Sequence, residues 1–352
     1  MGQQCLEDLI EVTKLRSHTM STTSIVYLCP GQGAQTVGMA KSWCESSESA
    51  RAIVAQADTI FGAGPDGRTL SDIAFNGPQE ILNRTDISQP ALFMAAIACF
   101  HALPTDLRER STRAIAGLSL GEYTALHLAG AFTFEDGLRL VMRRGQLMQQ
   151  AAETSKGSMV ALIGGDETQA NEVCARATAD GGVLVPANFN APGQIVLSGS
   201  LDACDRAVDV ASEVGVRAQK LQVAGAFHSP LMASAAEKMG EVLAKVTFAP
   251  LVHEVWSNVT AQPHERKNPE LLRQLLVEQL VSPVRWSQSC AGLIAAIVAD
   301  ESRATTVFHE LAPGSVLKGL MRRIDKSCEV VPHDQPTHQP THPPTPVVAT
   351  QP

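Results

Sequence analysis

The sequence predicts an α/β fold whose parallel-sheet core carries an inserted ferredoxin-like small domain, and three observations support that prediction. Short apolar strand patterns alternate with longer helical ones. A glycine-framed serine, Gly117-Leu118-Ser119-Leu120-Gly121, stands between a strand pattern and a helix pattern, so chemistry falls on a loop at a strand end. Between about Lys156 and Val223 the elements run β-α-β-β-α-β, the ferredoxin-like order.

In chain order, Ile25-Val26-Tyr27-Leu28-Cys29 reads as a buried strand stopped by Pro30-Gly31. Gln89 to Leu103 reads as a helix with Pro90 near its start, where a missing N–H costs little. Arg113-Ala114-Ile115-Ala116-Gly117 is a strand entering the serine turn. From Phe134 to Met148 the helical period puts Phe134, Leu138, Val141 and Met148 on one face, with Arg143 opposite and Arg144 on the flank. The small domain follows as strand 158–163, helix 167–179, strand 182–185, strand 194–198, a helix ending at 211 and strand 217–223. The chain then returns to the large domain at Gly225. This divides it into an N-terminal extension (1–23), a large α/β domain (24–155 and 224–330), the small domain (156–223) and a tail (331–352).

From Pro332 to Pro352, seven of 21 residues are proline, and missing N–H donors oppose a packed element, so this tail is expected to be disordered and dispensable for chemistry. The opening segment includes Glu7, Asp8 and Glu11, and lacks both a secretory apolar core and the acid-poor character of a transit peptide. Met20 is an alternative start. The apolar fraction of 44% supplies a core, and no apolar stretch approaches a membrane span. With 28 Lys+Arg against 36 Asp+Glu, the net charge of -8 gives no support to nucleic-acid binding. Eight widely spaced cysteines without a close CxxC pair suit reduced thiols in a cytoplasmic setting.

Small residues around Ser119 permit a compressed strand-to-helix turn that exposes its hydroxyl, while the next N–H, that of Leu120, can face a developing oxyanion. Taken alone, GxSxG also describes an ordinary turn serine. Four segments in order are more specific: Pro30-Gly31-Gln32-Gly33-Ala34-Gln35, the serine turn with Glu122-Tyr123, Asn188-Phe189-Asn190-Ala191-Pro192-Gly193-Gln194, and Gly225-Ala226-Phe227-His228-Ser229-Pro230. Over roughly residues 24–325 the chain resembles the malonyl-CoA:acyl carrier protein transacylase family. It departs from that family at Leu118, where the family has histidine.

The resemblance implies a hydrolase-like large domain with Ser119 as nucleophile and His228 as its base, the imidazole oriented by backbone carbonyls rather than by an acid. Gln279 is a candidate for supplying one such carbonyl. The resemblance also places Gln32 with the Leu120 N–H at the oxyanion, and Arg144 on the free malonyl carboxylate, a contact that guanidinium geometry suits. Phe227 accompanies selection of malonyl over a branched unit, and Asn188 and Asn190 lie near the substrate, although turn chemistry explains these asparagines equally well. The implied reaction passes malonyl from malonyl-CoA through a serine ester to the phosphopantetheine of acyl carrier protein, for fatty-acid synthesis, with no metal or resident cofactor. A polyketide-pathway malonyltransferase, a serine thioesterase or hydrolase, and a noncatalytic scaffold are the alternatives. A monomer is compatible with the sequence. Lys318, Arg322, Arg323 and Lys326 could meet an acidic carrier or form a solvated helix face.

Overall fold

The computed structural model describes residues 23–336. Five parallel strands form the main sheet in the order β7-β2-β1-β8-β9: β1 (Ser24–Cys29), β2 (Thr112–Gly117), β7 (Val255–Trp256), β8 (Thr306–Glu310) and β9 (Val330–Pro332). Because side chains alternate across a strand, β1 feeds two cores. Ile25, Tyr27 and Cys29 join the cluster built by helices Thr85–Ala102 and Phe134–Ser155, whereas Val26 and Leu28 join the one built by Trp286–Ala299 and Val316–Ile324.

The small domain is an antiparallel sheet of β3 (Gly157–Ile163), β4 (Leu184–Ala191), β5 (Gln194–Ser200) and β6 (Arg217–Lys220), ordered β4-β5-β3-β6. Helices Glu167–Ala177 and Leu201–Glu213 cover it and close its own apolar cluster. The fold is therefore the predicted one, a parallel-sheet domain with a ferredoxin-like insertion. Main-chain bonds join the two: Phe189 N–H donates to the Val284 carbonyl at 2.9 Å, and Val284 N–H donates to that of Ala187 at 2.8 Å.

Several boundaries differ from the sequence reading. The helix expected from Gln89 begins at Thr85, so Pro90 is interior and deprives the Asp86 carbonyl of its usual partner. Burial of Thr85 and of every residue from Ile87 to Cys99 offsets that loss. The helix around Arg144 runs on to Ser155, and β4 extends through Asn188 and Asn190, which are strand residues rather than turn residues. The correction at the tail is larger. Pro332 pairs in β9 and His333 is buried, its carbonyl accepting from Trp43 Nε1 at 3.1 Å, while Asp334 Oδ1 accepts from Gly314 N–H at 2.7 Å. Specific anchors overcome proline composition here. The remaining tail and the N-terminal extension with Met20 lie outside the described residues.

Candidate active site

Ser119 sits where β2 turns into helix Gly121–Leu128, at φ 49°, a left-handed conformation that is strained for a non-glycine residue. The flanking glycines make the turn possible by absence of bulk. A Cβ on Gly117 would lie 1.9 Å from the Gly121 carbonyl carbon, and one on Gly121 would lie 2.1 Å from the Cys29 carbonyl oxygen. Asn258 then clamps the turn: its Oδ1 accepts from Ser119 N–H at 2.6 Å and its Nδ2 donates to the Gly117 carbonyl at 2.7 Å.

His228 also has positive φ, at 57°, and reaches Ser119 Oγ through Nε2 at 2.8 Å. Its Nδ1 lies 2.8 Å from the Gln279 carbonyl. A carbonyl can only accept, so Nδ1 carries the proton and Nε2 is left to accept from the serine hydroxyl. Burial, then the nearby Arg144 charge, lowers the imidazole to about 4, against the raising effect of the carbonyl bond. At neutral pH His228 is an unprotonated base.

Arg144 is buried beneath the serine, with its guanidinium 5.4 Å from the Tyr123 ring centre. Nη2 donates to Ser119 Oγ at 3.1 Å and to Gln279 Oε1 at 2.9 Å, and Nη1 donates to Gln89 Oε1 at 2.7 Å. Neighbouring Gly145 allows this depth, because a Cβ there would meet the Thr85 carbonyl at 2.7 Å. Arg143 is only half-buried and touches Gln146.

A cavity of about 430 Å³ opens above Ser119 and His228. Gln32, Asn188, Asn190 and Phe227 stand in its wall, as does Leu118. Gln32 Nε2 is held by Thr85 Oγ1 at 3.1 Å, and Asn190 Oδ1 is buried without a partner among the described residues. The expected site residues thus converge, with two exceptions: Arg144 and Leu120 lie outside the wall, the first behind Ser119 and the second with its side chain in the core. Among the described residues no group of three or more His, Cys, Asp or Glu could hold a metal ion.

Sequence reasoning missed the support behind the turn. Glu122 Oε1 meets His264 Nε2 at 2.6 Å, and Glu122 Oε2 accepts from Gln279 Nε2 at 2.6 Å and from Asn258 N–H at 3.2 Å. Only Glu122 carried a local signal, its place directly after the glycine turn.

A strained serine at a strand end, a neutral histidine locked in the accepting tautomer and a buried cation at the same hydroxyl define a serine-dependent acyl-transfer fold. The comparisons agree: the "Acyl transferase domain" family model matches residues 26–344. A Bacillus subtilis malonyl CoA-acyl carrier protein transacylase is 36% identical over 316 residues, 89% of this chain and 94% of that protein. The crystal structure of a malonyl-CoA:acyl carrier protein transacylase from Xanthomonas oryzae is similar at TM-score 0.80 and 41% identity, covering 90% of this chain and 96% of that one. A malonyl-transacylase in complex with its type II PKS acyl-carrier protein is similar at TM-score 0.81 and 32% identity, covering 89% and 96%. This chain belongs to the malonyl CoA-acyl carrier protein transacylase family.

Proposed function

We propose that the chain moves a malonyl group from malonyl-CoA through an ester on Ser119 to the phosphopantetheine thiol of acyl carrier protein, supplying fatty-acid synthesis in the cytoplasm. The observation that carries this reading is the hydrogen-bonded run from the Gln279 carbonyl through His228 to Ser119 Oγ, with Arg144 at the same oxygen. On substrate binding, the malonyl carboxylate takes the Nη2 donor that otherwise serves Ser119 Oγ, and thereby frees the hydroxyl. Ser119 Oγ attacks the thioester carbonyl as its proton passes to His228 Nε2. The Leu120 N–H and Gln32 side chain meet the oxyanion, and His228 returns the proton to the departing CoA sulfur. Phosphopantetheine then delivers its thiol proton to His228 and attacks the ester, and Ser119 recovers its proton as it leaves. CoA is a substrate handle, and phosphopantetheine belongs to the partner protein. No described helix is long and apolar enough to cross a membrane.

Intact-mass and peptide-resolved mass spectrometry after mixing with malonyl-CoA test the ester directly. Ser119→Ala is expected to abolish the malonyl adduct while leaving the fold intact. An adduct retained elsewhere with normal turnover rejects Ser119. Adding purified carrier protein separates transfer from hydrolysis, since a thioesterase releases free malonate and a scaffold forms no adduct.

A further inference from the structure

A fully buried guanidinium needs an opposing charge, yet all three hydrogen-bond partners of Arg144 (Gln89, Ser119 and Gln279) are neutral. The Gln279 amide has a forced orientation. Arg144 Nη2 can only donate, so the amide oxygen faces it, and Gln279 Nε2 must turn away towards Glu122 Oε2 at 2.6 Å. The same carboxylate oxygen accepts from the Asn258 backbone N–H. With two obligatory donors on it, Oε2 carries no proton. His264 closes the other side at 2.6 Å, and both side chains are no more than 2% exposed. Among the described residues His264 Nδ1 has no partner, so a proton there would have no acceptor. The proton therefore sits on Nε2 and is donated to an ionised Glu122.

We propose that Glu122 is the counter-charge of Arg144, held one amide away by Gln279, and that this separation tunes malonyl recognition. A directly paired carboxylate would occupy the donors the substrate needs. Without any counter-charge, Arg144 would be an uncompensated buried cation before substrate arrives. Relayed through the Gln279 amide, Glu122 balances Arg144 while leaving Nη2 exchangeable, and it also repels the incoming malonyl carboxylate. Glu122 is thus a positioning and specificity-setting residue. The inference rests on Arg144 as the carboxylate-binding group.

Glu122→Gln removes the charge. The substituted amide oxygen can accept from Gln279 Nε2 and Asn258 N–H, while its NH2 turns His264 to the tautomer protonated on the unpartnered Nδ1, a cost that falls on stability and on both substrates alike and so leaves their ratio to report the charge. The expected result is a malonyl-CoA over acetyl-CoA ratio of kcat/KM raised about three- to tenfold, through a lower KM for malonyl-CoA, at screened effective dielectric. A purely structural Glu122 would lower both substrates together, and an unchanged or reduced ratio in the folded variant overturns the proposal. Arg144→Ala is measured in parallel. If it leaves the ratio unchanged, the carboxylate reading of Arg144 fails; if it lowers the ratio while Glu122→Gln does not move it, only the counter-charge fails. Should Glu122→Gln alone not fold, the double variant Glu122→Gln/Arg144→Met decides. Balanced charges require it to fold with a Tm above that of Arg144→Met alone, and a Tm at or below that value overturns the inference.

Discussion

His228 and His309 are both buried imidazoles held down to about 4, yet only His228 lines the cavity above Ser119. For each, burial is the largest cause; the Arg144 charge adds to it at His228, and the neighbouring His333 ring followed by the Arg110 charge adds to it at His309. His309 Nδ1 lies 2.7 Å from His333 Nε2, with the rings stacked at 5.0 Å and 13°. That pair fastens the C-terminal strand, because Trp43 and Cys99 both donate to the His333 carbonyl. A depressed imidazole therefore does not by itself mark chemistry. What separates the two is the company of an exposed-side hydroxyl, an orienting carbonyl and room for a ligand.

The largest effect that would sharpen this contrast is loss of the base. His228→Ala is expected to slow both acylation and thiol transfer by about 10²- to 10⁴-fold. Single-turnover measurements resolve the two halves, and normal rates in both would remove His228 from the mechanism. Next comes recognition. Arg144→Ala should reduce the malonyl-over-acetyl ratio of kcat/KM by about 10- to 150-fold, the worth of a hydrogen bond to a charged group. Arg143→Ala, one position round the helix and only half-buried, should leave that ratio unchanged; a ratio equally damaged by both would deny Arg144 its special place.

Acid acts on both histidines with the same sign. Their folded values lie below the ordinary 6.5, so between about 6.5 and about 4 the unfolded chain binds more protons. Stability is fully present above that window and declines as pH falls through it, whereas the acid limb of kcat/KM follows His228 alone and should fall near pH 4. Melting curves and rates measured from pH 7 downward separate the two, and an acid limb at 6.5 in still-folded protein would contradict the buried-base reading.

The smallest effect concerns the strand that His333 fastens. Truncation after Val331 removes the His333 and Asp334 anchors and is expected to cost about 2 kcal/mol, a few degrees in Tm, with kcat/KM within twofold of the full chain. Truncation after Pro336 should match the full chain in both. A Val331 truncation with unaltered Tm would show that the strap contributes nothing, and one that stays folded but loses transfer would tie the strap to the chemistry.

The legible parts of this protein share a local cause. Gly117 and Gly121 had to be small because the turn brings backbone to 1.9 and 2.1 Å from where a side chain would begin, and that constraint is written in five consecutive residues. Arg144 was separable from Arg143 because helical period alone assigns them different faces. The β-α-β-β-α-β order, and with it the small domain, followed from alternation of short and long patterns.

Tertiary structure decided what surrounds them. Asn258 clamps a serine 139 positions away, and His264 holds a glutamate 142 positions away; neither residue carries a local pattern. The tail misled for the same reason, since its prolines were visible while the sockets offered by Trp43, Cys99 and Gly314 were not. Short-range sterics and periodicity are properties of neighbouring residues and so were determined by the sequence itself. Protonation states, the pairing of buried charges and the docking of chain ends depend on which distant groups share a dry interior, and only the folded chain brings those groups together.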